Sequence, residues 1–172
     1  MPSATLDIGS EAGGLPYRSC VGIMLLNRYG LVFVGRRLPK WQDDRSAYIW
    51  QMPQGGIEKG ETPREAAFRE LNEETGVTNA DVVGEIGEWL SYDLPPQLQG
   101  VAMKGRYRGQ RQRWFAMRLT GPDSEIDIRP KDKKPEFDAW RWARIDEVSG
   151  LIVSFKRPVY ETVVRRFGHL AL

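Results

Sequence analysis

The residues from Thr62 to Gly76 are the part of this sequence whose local structure is most tightly constrained. Thr62 supplies a hydroxyl group for the N-cap, Pro63 suits the first helical position, and Glu65 stands where a capping box needs an acid. Gly76 is the residue type that commonly ends helices, and neither glycine nor proline interrupts the residues between the two caps. The pattern predicts a helix of about three and a half turns.

Glu70, Glu73 and Glu74 share one face of this predicted helix, because residues three and four positions apart are neighbours on a helix surface. Like charges at these spacings cost a helix a few tenths of a kcal/mol per pair, so the cluster opposes helix formation. The ordinary interpretation of a charged helix face is that water solvates it. A binding or catalytic role needs further evidence from the surrounding residues.

The spacing around the three glutamates favours a functional site. Gly55 is followed after five residues by Glu61 and, after seven more, by the run Arg69-Glu70-Leu71-x-Glu73-Glu74-x-Gly76-Val77. Residues 55–77 therefore resemble the sequence motif of the Nudix hydrolases, with every position filled. Since each residue type has an average usage of about 7%, a chance match to so many fixed positions is negligible.

The resemblance implies an enzyme that cleaves pyrophosphate bonds with Mg²⁺ or Mn²⁺, using more than one ion per site. It implies that Glu70 is the general base, with Glu74 as the alternative. Hard divalent cations prefer carboxylate and carbonyl oxygens and complete their coordination with water and substrate phosphates, which agrees with this residue set. The implied metal ligands are Gly55, Glu70, Glu73, Glu74 and Glu136, and the implied structural residues of the motif are Glu61, Arg69 and Gly76.

Segments outside the motif narrow the resemblance. Residues 16–168 are similar to the bacterial RNA 5′-pyrophosphohydrolases and to the asymmetrical diadenosine tetraphosphate hydrolases of bacteria and plants. The resemblance implies phosphate contacts at Arg37 and Lys156, an aromatic clamp of Tyr92 and Phe155 on a terminal base, and an RNA contact at Arg18. It is carried by Tyr17-Arg18-x-x-Val21-Gly22, Gly35-Arg36-Arg37, residues 50–56, Tyr92-Asp93-Leu94-Pro95, Gly109-Gln110-x-Gln112-x-Trp114-Phe115, residues 135–142 and Phe155-Lys156-Arg157-x-Val159-Tyr160.

Three functions stay open at this point. The favoured one is removal of pyrophosphate from triphosphorylated RNA 5′ ends, which leaves a 5′-monophosphate and promotes RNA decay. The alternative is asymmetrical cleavage of diadenosine tetraphosphate to ATP and AMP, and residues 38–49 leave the choice open because this loop is longer than in enteric-type RNA enzymes. The third is an inactive nucleotide-sensing or RNA-binding module, which would normally have lost an acidic ligand, and none is missing. The expected partners are RNA 5′ ends or dinucleoside polyphosphates, with neither DNA nor a membrane.

Composition sets broader limits. A chain of 172 residues with a formal charge of +2 is long enough for one domain and too weakly charged to bind nucleic acid by its net field alone. The single cysteine, Cys20, excludes an internal disulfide and favours a reducing compartment, so we expect a cytoplasmic protein. No apolar run is long enough to span a membrane. We predict a mobile tail over residues 1–15 and a single domain over residues 16–172.

The order of the predicted elements gives an α/β sandwich in which a mixed sheet has helices on both faces. A hairpin over residues 20–35 turns at Asn27-Arg28-Tyr29-Gly30, and strands follow at residues 81–92, 114–119 and 136–142, before a C-terminal helix near Pro158. In the strand at residues 136–142, alternation places Phe137 and Ala139 on one face and Trp140 and Trp142 on the other. Residues 104–113, with five basic side chains, are predicted to be a polyanion-binding loop or, alternatively, a solvated one.

Overall fold

The computed structural model describes residues 14–171. Residues 1–13 of the tail predicted for residues 1–15 therefore lie outside the described residues. None of the helices in this part of the chain has both the length and the apolar character needed to cross a membrane. The elements are β1 (Tyr17–Leu26), β2 (Val32–Arg37), β3 (Trp50–Gln51), β4 (Gln54–Gly56), α1 (Pro63–Thr75), β5 (Ala80–Asp93), β6 (Gly109–Leu119), β7 (Phe137–Ala143), α2 (Val148–Leu151) and α3 (Arg157–Phe167).

The strands of residues 14–171 form one mixed sheet in the order β3-β2-β1-β6-β5, with β4 pairing with β1 and β7 pairing with β2. The centre of the sheet is the parallel pair β1 and β6, which runs in register from Tyr17 opposite Gly109 to Leu26 opposite Arg118. The long strand β5 pairs antiparallel with β6 on its other side. This arrangement confirms the predicted α/β class with a mixed sheet.

Both faces of the sheet are buried, each under a helix. On one face the α1 residues Ala67 and Leu71 pack with Phe115 of β6. On the other face the α3 residue Val163 packs with Trp114, the neighbour of Phe115 along the same strand. Because successive side chains of a strand point to opposite faces, β6 contributes to both cores at once.

Helix α1 begins and ends as its sequence predicts. The Thr62 hydroxyl accepts a hydrogen bond from the Glu65 N–H at 3.1 Å, and the Glu65 carboxylate accepts one from the Thr62 N–H at 2.9 Å. Gly76 adopts the left-handed conformation with φ of 74°, and its N–H donates to the Asn72 carbonyl group. Both caps are therefore formed, and the packing of Ala67 and Leu71 in the core turns the opposite side of α1 away from it.

The predicted hairpin is confirmed at its turn, where Gly30 has φ of +76°. The two strands separate immediately afterwards, since their register consists of Leu26 opposite Val32. Strand β1 then pairs with β4 and β6, and β2 pairs with β7. The hairpin therefore opens into the middle of the sheet, and this opening brings β4 alongside β1.

The predicted alternation along β7 is wrong, because the pairing of β2 with β7 contains a bulge. Arg36 lies opposite Ala139 but Arg37 lies opposite Phe137, so Asp138 is the extra residue. A bulge resets the alternation of side chains on either side of it. Phe137, Trp140 and Trp142 consequently share one face, and all three rings contact Phe33, at centroid distances of 6.0, 5.5 and 6.3 Å.

Candidate active site

Two adjoining cavities open where β1, β4 and α1 meet. The smaller has a volume of about 210 Å³, and it is lined by all of the predicted metal ligands: Gly55, Glu70, Glu73, Glu74 and Glu136. Helix α1 presents Glu70, Glu73 and Glu74 to this cavity, and Glu136 enters from the residue before β7. The fold thus gathers residues that are as much as 81 positions apart, from Gly55 to Glu136.

Strand β4 lies so close to α1 that a side chain at position 55 would displace the Glu70 carboxylate. A Cβ atom added there would collide with the carboxylate of Glu70. Pairing with β1, which sets Gly55 opposite Val21, holds the strand in place. At the preceding residue of the strand, the N–H of Gln54 donates to Glu74 Oε1 at 3.3 Å. Backbone groups of β4 and carboxylates of α1 therefore face the same space.

Two of the carboxylates are buried against their preference for water. Glu70 is 9% exposed and burial raises its pKa, although the neighbouring Arg69 opposes the shift. Burial also raises the pKa of Glu74 well above its ordinary value, and the charges of Glu136 and Glu70 act in the same direction. Carboxylates that repel one another in a partly buried cavity are stabilised by a cation, which offsets both the repulsion and the lost hydration.

Arg69 ties the loop before α1 to the helix. Its Nε donates to Glu61 Oε2 at 2.7 Å and its Nη2 donates to the Gly56 carbonyl group, also at 2.7 Å. A third contact, from Nη1 to Glu70 Oε2 at 3.0 Å, reaches the carboxylate cluster itself. The structural role of Glu61 and Arg69 stays a prediction, and these contacts are the ones through which the two side chains would exert it.

The chemistry of the donors in the smaller cavity suits a hard divalent cation, because carboxylate and carbonyl oxygens are its preferred ligands. The side chains do not form a complete coordination site: among residues 14–171, no group of three or more acidic, histidine or cysteine side chains is arranged so that it could hold a metal ion. Glu73 instead bonds to Lys133 Nζ at 2.7 Å, and Glu136 pairs with Lys40 Nζ at 3.0 Å. Although burial acts in the opposite direction, Lys133 and Arg69 lower the pKa of Glu73.

The comparisons with known proteins bear on this acidic cavity. A family model described as the NUDIX domain matches residues 16–163. The chain belongs to the Nudix hydrolase family. Members of this family are enzymes that act on pyrophosphate bonds, and they generally use divalent metal ions.

Close relatives of this Nudix hydrolase carry a more specific name. An RNA pyrophosphohydrolase of Rhodopseudomonas palustris (strain HaA2) is 55% identical over 159 residues, which cover 92% of this chain and 95% of the relative. An RNA pyrophosphohydrolase of Brucella abortus (strain 2308) is 54% identical over 161 residues, covering 91% of this chain and 90% of the relative. The NUDIX domain match over residues 16–163 includes the residues that line both cavities, from Arg18 to Lys156.

Solved structures agree with the Nudix fold. A C. elegans Ap4A hydrolase in a binary complex superposes with a TM-score of 0.63 at 16% identity, over 89% of this chain and 96% of that one. The E. coli dihydroneopterin triphosphate pyrophosphohydrolase gives a TM-score of 0.59 at 19% identity, over 86% of this chain and 97% of that one. At such low identity these likenesses establish the fold alone.

The larger cavity of this Nudix hydrolase, about 400 Å³ in volume, adjoins the acidic one. Arg18, Lys40 and Gln54 line both cavities, so the two cavities lie side by side. The larger cavity is lined by all of the predicted substrate-binding residues: Arg18, Arg37, Tyr92, Phe155 and Lys156. The fold therefore separates an acidic chamber from a cationic and aromatic one and joins them at three shared side chains.

Tyr92 and Phe155, the predicted base clamp, contact each other with ring centroids 5.6 Å apart. Tyr92 is buried and Phe155 is half-buried, so Phe155 presents the more accessible ring. Lys156 Nζ lies 5.5 Å from the Tyr92 ring centroid. Burial, together with the charges of Lys40 and Arg37, lowers the pKa of Lys156 to about 7.

Arg37 lines the larger cavity, but its charge already has a partner. Its Nη2 lies 2.7 Å from Asp44 Oδ2, and the two side chains are only 6% and 0% exposed. Asp44 also accepts hydrogen bonds from the N–H groups of Lys40 and Ser46, both at 3.0 Å. The guanidinium group of Arg37, which is predicted to contact phosphate, thus also anchors the loop after β2.

The basic run of residues 104–113 is split by the fold, and the prediction of a single loop is wrong. Strand β6 begins at Gly109, because both β1 and β5 pair with this segment. Lys104 lines the larger cavity, whereas Arg111 lies on the other face of the sheet. There its Nε donates to Ser19 Oγ at 2.8 Å and its guanidinium lies 4.0 Å from the centre of the Trp89 ring.

Several cavity-lining side chains were given no site role by the sequence motifs, among them Lys40, Trp41, Gln54 and Lys133. Lys40 and Lys133, which pair with predicted metal ligands, come from polar loops whose charges gave no directional signal. Trp41 carried a usable signal, since a tryptophan in an otherwise polar loop is unusual.

Proposed function

We propose that this Nudix hydrolase removes pyrophosphate from the 5′ end of triphosphorylated RNA and leaves a 5′-monophosphate end, which promotes decay of the RNA. The observation that carries the proposal is that the acidic chamber lies directly beside the cationic and aromatic one, with Arg18, Lys40 and Gln54 lining both. A polyphosphate attached to a nucleoside needs both environments, one for its reacting phosphates and one for its base. Relatives with 54–55% identity that are named RNA pyrophosphohydrolases favour RNA as the substrate.

In this proposal Gly55, Glu70, Glu73, Glu74 and Glu136 hold Mg²⁺ or Mn²⁺, with more than one ion in the site. Bound divalent cations would neutralise charge on the phosphate oxygens and lower the pKa of water. Glu73 and Glu136 would exchange their lysine partners for the cation. Lys133 and Lys40 would then be released within reach of the cavity that the phosphates enter.

The residues of the chain supply the proton transfer and the orientation. Water attacks a phosphorus atom of the 5′-triphosphate, the anhydride bond between the α and β phosphates breaks, and pyrophosphate leaves. Glu70 accepts the proton of the attacking water, with Glu74 as the alternative acceptor. Arg18, at the junction of the chambers, fixes the phosphate chain, while Lys156 and Arg37 hold it from the side of the larger cavity.

A second candidate is asymmetrical hydrolysis of diadenosine tetraphosphate to ATP and AMP. The pair of Tyr92 and Phe155 favours it, since an aromatic wall beside fixed cations holds an adenine base whether or not RNA follows it. We place either activity in the cytoplasm, where reducing conditions suit a chain with a single cysteine, Cys20.

In the decisive experiment, one enzyme preparation containing Mg²⁺ is assayed in parallel with triphosphorylated RNA and with diadenosine tetraphosphate, and the two kcat/KM values are compared. We expect the higher value with RNA, together with release of pyrophosphate and a 5′-monophosphate end. A higher value with diadenosine tetraphosphate would transfer the proposal to the second candidate. Absence of hydrolysis with both substrates, and with Mn²⁺ in place of Mg²⁺, would reject both.

A further inference from the structure

The loop of residues 38–49, between β2 and β3, is anchored firmly at one wall of the larger cavity. Its anchor is Asp44, whose fully buried side chain accepts hydrogen bonds from the Arg37 guanidinium and from the N–H groups of Lys40 and Ser46. One carboxylate thus holds the start of the loop, its middle and the strand before it. Side chains carried by this loop are consequently presented to the cavity in a defined position.

Backbone strain is concentrated around the same cavity. Within residues 14–171, the non-glycine residues with positive φ are Asp43, Tyr48, Met103 and Lys104. The first two belong to the loop of residues 38–49, and the other two belong to a short turn that lines the larger cavity. Non-glycine residues other than Asn and Asp seldom adopt this conformation. Both loops contribute side chains to the wall of the larger cavity: Lys40, Trp41 and Ser46 from the first, and Met103 and Lys104 from the second.

Trp41 is the aromatic side chain that the loop of residues 38–49 presents to the cavity. Its ring is half-buried and packs partly against the core under α3. The guanidinium carbon of Arg37 lies 5.8 Å from the ring centroid, which is within the range of a cation–π contact. The contact couples the indole to the buried pair of Arg37 and Asp44, so the ring is positioned before any ligand arrives.

The surroundings of Trp41 point to a nucleobase as its ligand. The cavity volume of about 400 Å³ is in the range of sites for small molecules and cofactors. Cationic side chains line the same cavity, and it adjoins the acidic chamber; these side chains include Arg18, Lys40, Lys104 and Lys156. An aromatic surface among fixed cations suits a base that is attached to a phosphate chain.

We infer that Trp41 is a specificity-determining residue that stacks on the base of one of the first two nucleotides at the RNA 5′ end. This inference rests on the proposed function and adds a base-binding surface on the loop of residues 38–49, separate from the pair of Tyr92 and Phe155. The loop wall selects for a substrate with a base at that position, and Asp44 is the positioning residue that holds the wall.

The test compares Trp41→Ala with Trp41→Phe and with Tyr48→Ala. Tyr48 is the matched control, because its ring belongs to the same loop but is 56% exposed. We expect Trp41→Ala to lower kcat/KM for triphosphorylated RNA roughly 5- to 150-fold, the range measured for loss of one base–aromatic stack, mainly by raising KM. Trp41→Phe should lose less, and Tyr48→Ala should match the wild type.

A second set of substrates separates stacking from a merely structural role. Triphosphorylated RNAs that lack the base at the first or the second nucleotide are cleaved by the wild type and by Trp41→Ala. We expect the penalty of Trp41→Ala to disappear with one of the two RNAs, because the base that stacks on Trp41 is absent there. A thermal unfolding curve for each variant confirms that the protein is folded at the assay temperature.

The outcomes distinguish this inference from the function on which it rests. A wild type that does not cleave triphosphorylated RNA rejects the proposed function. A wild type that cleaves RNA while Trp41→Ala is as active as Tyr48→Ala overturns the inference alone. The inference is also overturned if the penalty of Trp41→Ala is equally large with the complete RNA and with both RNAs that lack a base.

Discussion

Glu70 and Glu74 have carboxyl groups that the fold buries, where the ionised form is disfavoured. They are 9% and 8% exposed, and burial is the main cause of the raised pKa of each. A buried charge without full compensation costs stability, so these residues are retained at the expense of the fold. Such an arrangement is typical of a site that binds cations or transfers protons.

We predict that Glu70→Gln and Glu74→Gln each lower turnover of triphosphorylated RNA by about 10²- to 10⁴-fold, because the proton acceptor or a metal ligand is lost. Neither variant should unfold at a lower temperature than the wild type, since an amide removes a buried charge. Turnover and thermal unfolding are measured on the same preparations, with the exposed Glu161→Gln as the control. Rates near those of the wild type for both variants would contradict the assignment.

Gly55 sets the distance between β4 and the Glu70 carboxylate. We predict that Gly55→Ala lowers kcat sharply, because its Cβ atom would displace the carboxylate that it meets. The matched control is Gly87→Ala, whose Cβ atom would have no neighbour within 4 Å. Steady-state kinetics and circular dichroism of both variants test the prediction, which fails if Gly55→Ala turns over RNA as fast as Gly87→Ala.

Lys156 gives substrate binding a pH dependence. Its folded-state pKa of about 7 lies below the ordinary value of 10.5, so above pH 7 the folded protein lacks a proton that the unfolded chain keeps. This group therefore adds stability as pH rises above 7, and the added stability is lost as pH falls through 7. A phosphate ligand needs the charged ammonium group, so binding takes up a proton.

We predict that KM for triphosphorylated RNA rises as pH increases above about 7 and that Lys156→Arg reduces this rise, because a guanidinium stays charged. The measured quantity is the ratio of the KM values of wild type and variant across neutral and mildly alkaline pH, which cancels pH effects shared by both proteins. A ratio that does not change with pH would show that Lys156 does not titrate in this range.

At the scale of elements, the end of β2 carries two adjacent arginines in opposite situations. Arg37 pairs with Asp44, whose side chain is 0% exposed, whereas Arg36 pairs with Asp138 at 2.8 Å with side chains that are 41% and 28% exposed. Removal of one partner from a buried pair leaves an uncompensated charge, but an exposed pair contributes little.

We predict that Asp44→Ala lowers the free energy of unfolding by about 3–5 kcal/mol. The matched change Asp138→Ala should cost less than about 1 kcal/mol. Urea unfolding curves of both variants and the wild type give the comparison. Equal losses would mean that the loop of residues 38–49 is not held by the pair of Arg37 and Asp44.

The elements that the sequence predicted best are those with local signals. The caps at Thr62 and Gly76 lie within four residues of the groups they satisfy, so α1 could be located without knowledge of the fold. The bulge at Asp138 and the start of β6 at Gly109 have no comparable signal, because they depend on partner strands that are distant in sequence. Those were the places where the predictions failed.

At the scale of the whole molecule, one sheet carries two cores that share β6. Trp114, which is fully buried, packs against Tyr160 of α3 with ring centroids 5.6 Å apart, and Gly22 leaves room for its indole ring. Phe115, which is 1% exposed, packs with Leu71 beneath α1. A substitution in either core therefore alters the packing of the same strand, β6.

We predict that Trp114→Ala and Phe115→Ala each cost about 3–5 kcal/mol. Each variant should nevertheless unfold in a single transition, with fluorescence and circular dichroism giving the same midpoint. This experiment also tests the prediction that residues 16–172 are one domain. Separate transitions for the two cores would contradict it.

The sequence by itself determined the chemistry of this protein and its central helix, since capping residues and the spacing of Glu70, Glu73 and Glu74 act within a few turns of chain. Only the tertiary structure decided which distant groups meet those carboxylates. Pairing of β1 with β4 set Gly55 against Glu70, and the buried charge of Asp44 fixed the wall that carries Trp41. Such contacts follow from strand register and burial, which depend on the whole chain and are encoded by no short segment of it.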